Sequence, residues 1–276
     1  MVSDLPIVKE VWNGSVMARF TPAAHEISGS GKPPPFYLML QRNSYLPLIN
    51  DKIKKHFAQY IGEFNESDIW YDYDGRPLKW HHPIGVLWDL LCYDKQTTPI
   101  EITVHFKDFP VESIICYHQM DAIEANFMSM LKEADHLKHR GQVMNNMNKS
   151  QHKQLWNSLK NNNFDQFWSI NSKLMEGYEG TAVFKYIPLR VYTKDHVFQR
   201  LVSPISEAEN PSETCLNDCL SSIFKQCLSS QKLENFVAVI QGIEVPLNSK
   251  MQWLSEHLSN ADNFLHVALI NNNDNL

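Results

Sequence analysis

Hydrophobic positions change period several times along the chain, and each change predicts an element. Residues 4–12 mix apolar and charged side chains at helical spacing, with Ser3 placed as a cap and Gly14 as a stop. Residues 15–20 and 36–41 read as strands separated by a loop rich in Gly, Ser and Pro. Over residues 45–60, Leu46, Ile49, Ile53 and Phe57 recur every three or four positions with Asp51, Lys52, Lys54 and Lys55 between them, which predicts an amphipathic helix. Residues 69–80 alternate aromatic and acidic positions about Asp74-Gly75 and predict a hairpin. A short helix over 84–91 and a β-branched strand over 101–106 follow.

The same order returns near the C-terminus: strands over 184–192 and 198–203, a helix over 215–224, a Gly-centred hairpin over 236–247, a helix over 252–258 and a strand over 264–270. Each copy carries Gly, then Pro-Leu, then a Trp-bearing helix, then a strand containing His: Gly75, Pro77-Leu78, Trp88 and His105, against Gly242, Pro246-Leu247, Trp253 and His266. Between the copies, residues 122–147 and 150–175 have helical periodicity, broken at Asn161-Asn-Asn163, with Trp168 expected to anchor the core of this module. The order predicts an α+β protein with two ubiquitin-like β-grasp domains flanking a helix-rich domain, after a short N-terminal helix. The expected divisions are 1–14 (helix), 15–110 (first ubiquitin-like domain), 111–120 (linker), 121–180 (helix-rich domain) and 181–276 (second ubiquitin-like domain).

Composition narrows the function. A formal charge of −6 over 276 residues encodes no general attraction to nucleic acid, and 43% hydrophobic content excludes global disorder. Asp4, Lys9 and Glu10 interrupt the apolar core a secretory signal needs, the five cysteines fit a reducing cytoplasm, and no apolar run approaches a membrane span.

Chemistry-bearing motifs are sparse. Glu133 and His136 form a single Glu-x-x-His, which a metal bundle would need in two copies, so a solvated helix face is the expected reading. A metal-dependent enzyme built on Glu133, His136 and His139 is the alternative from another class. Cys215 and Cys219 lie four apart without zinc-type partners, which predicts an apolar helix face, and His81-His82 falls at a strand end. Lys52, Lys54 and Lys55 could touch phosphates or lipid headgroups, or form the wet side of their helix. No catalytic, cofactor or metal site is expected. Projected at about 100° per residue, Ile123, Phe127, Met130, Ala134 and Leu137 share a stripe, while Lys132 falls about 180° away, in water. A ubiquitin-like donor also needs a flexible tail ending in glycine, whereas this sequence ends Asn-Asn-Asn-Asp-Asn-Leu276, so a recipient or a binding scaffold is expected.

Taken together, the segments Asp51-Lys-Ile-Lys-Lys-His-Phe57, Pro77-Leu-Lys-Trp-His-His-Pro-Ile-Gly85, Ile102-Thr-Val-His-Phe-Lys107, Lys132-Glu-Ala-Asp135, His152-Lys-Gln-Leu-Trp156, Phe164-Asp-Gln-Phe-Trp168 and Gln252-Trp-Leu-Ser-Glu-His-Leu-Ser259 resemble the autophagy-related protein 5 family over nearly the whole length. The resemblance implies that Lys132 accepts the C-terminal glycine of the ubiquitin-like autophagy-related protein 12 through an isopeptide bond. It implies a non-covalent partner, the N-terminal helix of autophagy-related protein 16. It further implies that the conjugate acts like a ligase, positioning the conjugating enzyme that transfers autophagy-related protein 8 family members to phosphatidylethanolamine. The chain is then cytoplasmic, recruited to preautophagosomal membranes through its complex. A purely non-covalent double ubiquitin-like adaptor is the other binding-module reading.

Overall fold

The computed structural model describes residues 4–28, 31–65, 68–93, 98–117, 120–206, 211–228 and 232–272. The Ser3 cap, part of the Gly/Ser/Pro loop and the end of the Asn-rich tail lie outside them. Two compact units emerge: Ser15–Asn126, and Phe127–Leu276 together with the N-terminal segment up to Gly14. The helix-rich stretch and the second ubiquitin-like stretch therefore share one unit.

The first unit contains β1 (Ser15–Pro22), β2 (Phe36–Gln41), α2 (Asn50–Phe57), β3 (Trp70–Tyr73), β4 (Arg76–Pro77), α3 (Ile84–Cys92) and β5 (Ile100–His105), preceded in the chain by α1 (Leu5–Trp12). Its sheet order is β2-β1-β5-β3-β4, with β1 and β5 parallel at the centre, the arrangement of a β-grasp. Alternation along β5 buries Ile100, Ile102 and Val104, which pack with Ile53, Phe57, Ile84 and Leu87 of the two helices. The predicted helix over 45–60 begins later than expected. Pro47 sits in a 3₁₀ turn, Leu46–Ile49, and the α-helix proper starts at Asn50. At the predicted hairpin, Asp74 and Gly75 both take positive φ, +53° and +73°, as a type I′ turn requires, and Asp72 Oδ1 accepts the Gly75 N–H at 2.9 Å.

The start of α3 shows why Gly85 ends its sequence segment. Its N–H donates to the Arg42 carbonyl at 2.8 Å, and a Cβ there would meet Arg42 Cβ at 3.0 Å and Nε at 3.1 Å. Arg42 reaches over this glycine to Asp89, with Nη2 at 2.6 Å from each carboxylate oxygen, and both side chains are buried. Removing one partner of a buried pair leaves an uncompensated charge. Asp89→Ala should therefore lower the unfolding free energy by about 3–5 kcal/mol in urea titrations. A loss under about 1 kcal/mol, the range of exposed pairs, would show that the guanidinium is solvated.

The second unit contains α4 (Met120–His139, from Phe127 onward), α5 (Gln142–Asn145), α6 (Lys149–Lys160), α7 (Phe164–Asn171), β6 (Ile187–Tyr192), β7 (Val197–Val202), α8 (Leu216–Cys227), β8 (Phe236–Ile240), β9 (Ile243–Glu244), α9 (Met251–Leu258) and β10 (Leu265–Asn271). Its sheet order, β7-β6-β10-β8-β9, reproduces the first, with β6 and β10 parallel. The second hairpin turn repeats too, Gln241 and Gly242 having φ of +53° and +84°. The two histidines of the repeat, however, stand at opposite ends of their strands: His105 is the last residue of β5, His266 the second of β10.

Leu265, Val267 and Leu269 of β10 join α8 and α9 residues in one core, and Phe264 packs with Met130, Ala134 and Leu137 of α4. The strand is buried on both sides, which explains its apolar run over residues 267–270. Trp12 of α1 is buried against Phe164 and Phe167, with centroids 5.9 Å and 4.6 Å away. Trp168, expected as a core anchor, is half-buried, stacked on Phe164 and packed at the edge of the core around β10.

Candidate functional site

Helix α4 buries Phe127, Met130, Leu131 and Ala134 and leaves Lys132 exposed, as the helical projection predicts. Lys132 forms no hydrogen bond or ion pair among the described residues. Its three successors fix the helix. Glu133 accepts from Arg190 Nη2 at 3.3 Å and from Gln199 Nε2, on β6 and β7. Ala134 is fully buried beside Met130 and Phe264. Asp135, also fully buried, pairs with His139 Nδ1 at 3.0 Å and accepts the Met144 N–H at 2.8 Å, capping the start of α5. The helix stops where Arg140 and Gly141 adopt φ of +58° and +81°, and the Gly141 N–H reaches back to the Asp135 carbonyl. Helix register is thus held by its neighbours, while the Lys132 side chain stands in solvent without a hydrogen bond or ion pair among the described residues.

A second lysine on the same helix has the opposite environment. Lys138 is wholly buried, its Nζ donating to Met175 Sδ at 3.2 Å, Asn263 Oδ1 at 3.3 Å and the Leu174 carbonyl at 3.5 Å, and lying 4.3 Å from the Phe184 ring centroid. Desolvation pulls its pKa from 10.5 down to about 7, against the opposing fields of Glu256, Asp135 and Asp262. Sequence reasoning passed over it, although at about 60° from the apolar stripe it stands on the edge of the buried face.

The other sequence candidates separate. Glu133 is engaged by Arg190 and Gln199, and His139 by Asp135 and the Glu176 carbonyl, while His136 is exposed, so these three do not converge as a ligand set. Cys219 is buried and its thiol is pushed up to about 12, chiefly by desolvation. Cys215 caps α8, its Sγ 2.9 Å from Asp218 Oδ2. Lys54 pairs with Asp51 at 2.8 Å, whereas Lys52 and Lys55 line an open cleft with Pro34, Phe36 and His56.

Three family models match consecutive stretches: autophagy protein ATG5, UblA domain, over residues 11–106; its alpha-helical bundle region over 120–177; and its UblB domain over 186–269. Autophagy protein 5 of Drosophila melanogaster is 42% identical over 273 residues, 98% of each chain. The chain belongs to the autophagy protein 5 family. Autophagy-related protein 5 of Caenorhabditis elegans is 36% identical across 97% of the chain and 98% of that protein. The crystal structure of Kluyveromyces marxianus Atg5 superposes with a TM-score of 0.81 over 96% of the chain at 20% identity, a likeness of fold. The family's two ubiquitin-like domains and helical bundle thus coincide with the two matching sheets and the α4–α7 stretch. Among the described residues, no helix is long and apolar enough to cross a membrane.

Proposed function

We propose that this chain is the acceptor and scaffold of an autophagy conjugation reaction, with Lys132 receiving the C-terminal glycine of the ubiquitin-like autophagy-related protein 12. The observation that carries the reading is a solvent-exposed amine on a helix whose flanking residues are locked in place. In the reaction, Lys132 Nζ attacks the thioester carbonyl carbon of the enzyme-bound modifier. The C–N bond forms, the C–S bond breaks, the enzyme's cysteine leaves as thiolate, and the amine's surplus proton passes to a base on the transferring enzyme. The chain supplies position and accessibility, and the thioester cysteine belongs to the other enzyme. Its own buried Cys219, with a raised pKa, suits an inert packing role.

In this reading the conjugate, with the N-terminal helix of autophagy-related protein 16, recruits the conjugating enzyme that attaches autophagy-related protein 8 family members to phosphatidylethanolamine. The chain works in the cytoplasm and reaches preautophagosomal membranes through the complex. The divisions 15–110, 121–180 and 181–276 are its working modules. Incubation of the chain with the modifier, its activating and transferring enzymes and ATP should give one adduct, mapped by peptide mass spectrometry to Lys132. With a positive-control acceptor active, an unmodified chain would instead favour a non-covalent adaptor, and an adduct confined to another lysine would move the acceptor site.

A further inference from the structure

We infer that the first unit carries a site for one zinc-type divalent cation, formed by His25 Nε2, Glu26 Oε1 and His105 Nδ1, outside the conjugation helix. His25 and Glu26 lie in the 3₁₀ turn that follows β1, and His105 ends β5. Because β1 and β5 are parallel neighbours, the topology brings these positions together.

The three ligand atoms lie within 4.8 Å of one another. Glu26 Oε1 is 3.5 Å from His105 Nδ1 and 3.7 Å from His25 Nε2. Those separations are long for hydrogen bonds, which close to about 3 Å. They are near the edge of a zinc tetrahedron, about 3.3 Å for metal–ligand bonds of about 2.0–2.1 Å. The Glu26 side chain is only 2% exposed, and its two oxygens divide their roles. Oε2 accepts the Phe106 N–H at 2.7 Å, whereas Oε1, equally buried, has no hydrogen-bond partner and faces the two imidazoles. A buried carboxylate oxygen so placed requires a cation or a proton.

The surroundings of His105 supply what a metal-bound imidazole needs. Its other nitrogen, Nε2, is 2.5 Å from Asp72 Oδ2, so a proton held there leaves the Nδ1 lone pair directed at Glu26. Trp70 stacks on the ring at 3.8 Å between centroids and 9° between planes, fixing its orientation. His25, with 68% of its side chain exposed, leaves an entry path from solvent and room for water in the fourth position. Two imidazoles and one carboxylate favour zinc over magnesium or calcium, which take oxygen donors. The bound ion would clamp the turn after β1 to the end of β5.

The test is zinc binding to the metal-stripped full chain, measured by competition with a chromophoric chelator, beside His25→Ala, Glu26→Gln and the exposed control His196→Ala. Wild type and His196→Ala should each take up one equivalent, with affinity falling at least about tenfold in the other two. Zinc should raise the melting temperature of wild type but not of His25→Ala, a surface change that leaves the fold intact. Absence of stoichiometric uptake by wild type would overturn the site. So would an unchanged, wild-type affinity in His25→Ala and Glu26→Gln, because the zinc would then be held by other residues.

Discussion

Arginine at position 132 is expected to abolish the modifier adduct while shifting the melting temperature by no more than about 1–2 °C. The fold tolerates the change because the Lys132 side chain is exposed and holds no hydrogen bond or ion pair among the described residues. Chemistry does not tolerate it. Aminolysis needs a lone pair on nitrogen, and a guanidinium, with a pKa above about 12, keeps its proton and delocalises its electrons. The informative comparison lies six residues along the same helix. Lys138, with its pKa pulled down to about 7, is readily deprotonated, yet it is enclosed by Met175, Phe184 and Asn263. Accessibility therefore selects between the two. Intact-mass spectra of Lys132→Arg under conditions that fully modify wild type should show no adduct. Full-yield modification of the variant would sink the assignment of Lys132, and an adduct at Lys138 would show that α4 opens during transfer.

The order of elements was legible because local signals mark it: the β-branched content of β5, the Gly-containing turns at Asp74-Gly75 and Gln241-Gly242, and the amphipathic stripe of α2. Where expectation and structure part, a long-range bond or a proline decides. Residues 184–186 were expected in a strand, but the Lys185 and Tyr186 N–H groups donate to the Lys138 and Leu137 carbonyls, so β6 starts at Ile187. A continuous helical period over 122–147 is interrupted because Arg140 and Gly141 turn left-handed, which lets Asp135 cap α5. Lys132 could be found by projection, since exposure on an amphipathic helix is a local property. The cluster of His25, Glu26, Asp72 and His105 could not. Nothing in those spacings brings the residues together until β5 is placed between β1 and β3.

Replacing Lys138 by methionine is expected to raise stability below pH 7 and to flatten its rise with pH. The folded-state pKa lies near 7, below the ordinary 10.5. Below pH 7 both folded and unfolded chains hold the proton, and the folded chain bears the full desolvation of a buried ammonium. Between pH 7 and about 10.5 the unfolded chain binds a proton that the folded chain has released, so stability rises with pH. The coupling amounts to about 1.4 kcal/mol per pH unit inside that window. Methionine matches the aliphatic stem and carries no charge, at the cost of about 1 kcal/mol for the hydrogen bond to Asn263. Subtracting the two urea-derived stability profiles also cancels the buried tyrosines Tyr71 and Tyr192, whose raised pKa values act alike in both proteins. The variant should exceed wild type at pH 6.5, where the buried charge is removed, and its advantage should shrink as the pH rises towards 9.5, where wild-type Lys138 is neutral in the folded chain. Parallel profiles would mean that Lys138 keeps the same protonation on folding, through water reaching Nζ or through a stronger field from Glu256, Asp135 and Asp262 than burial overcomes.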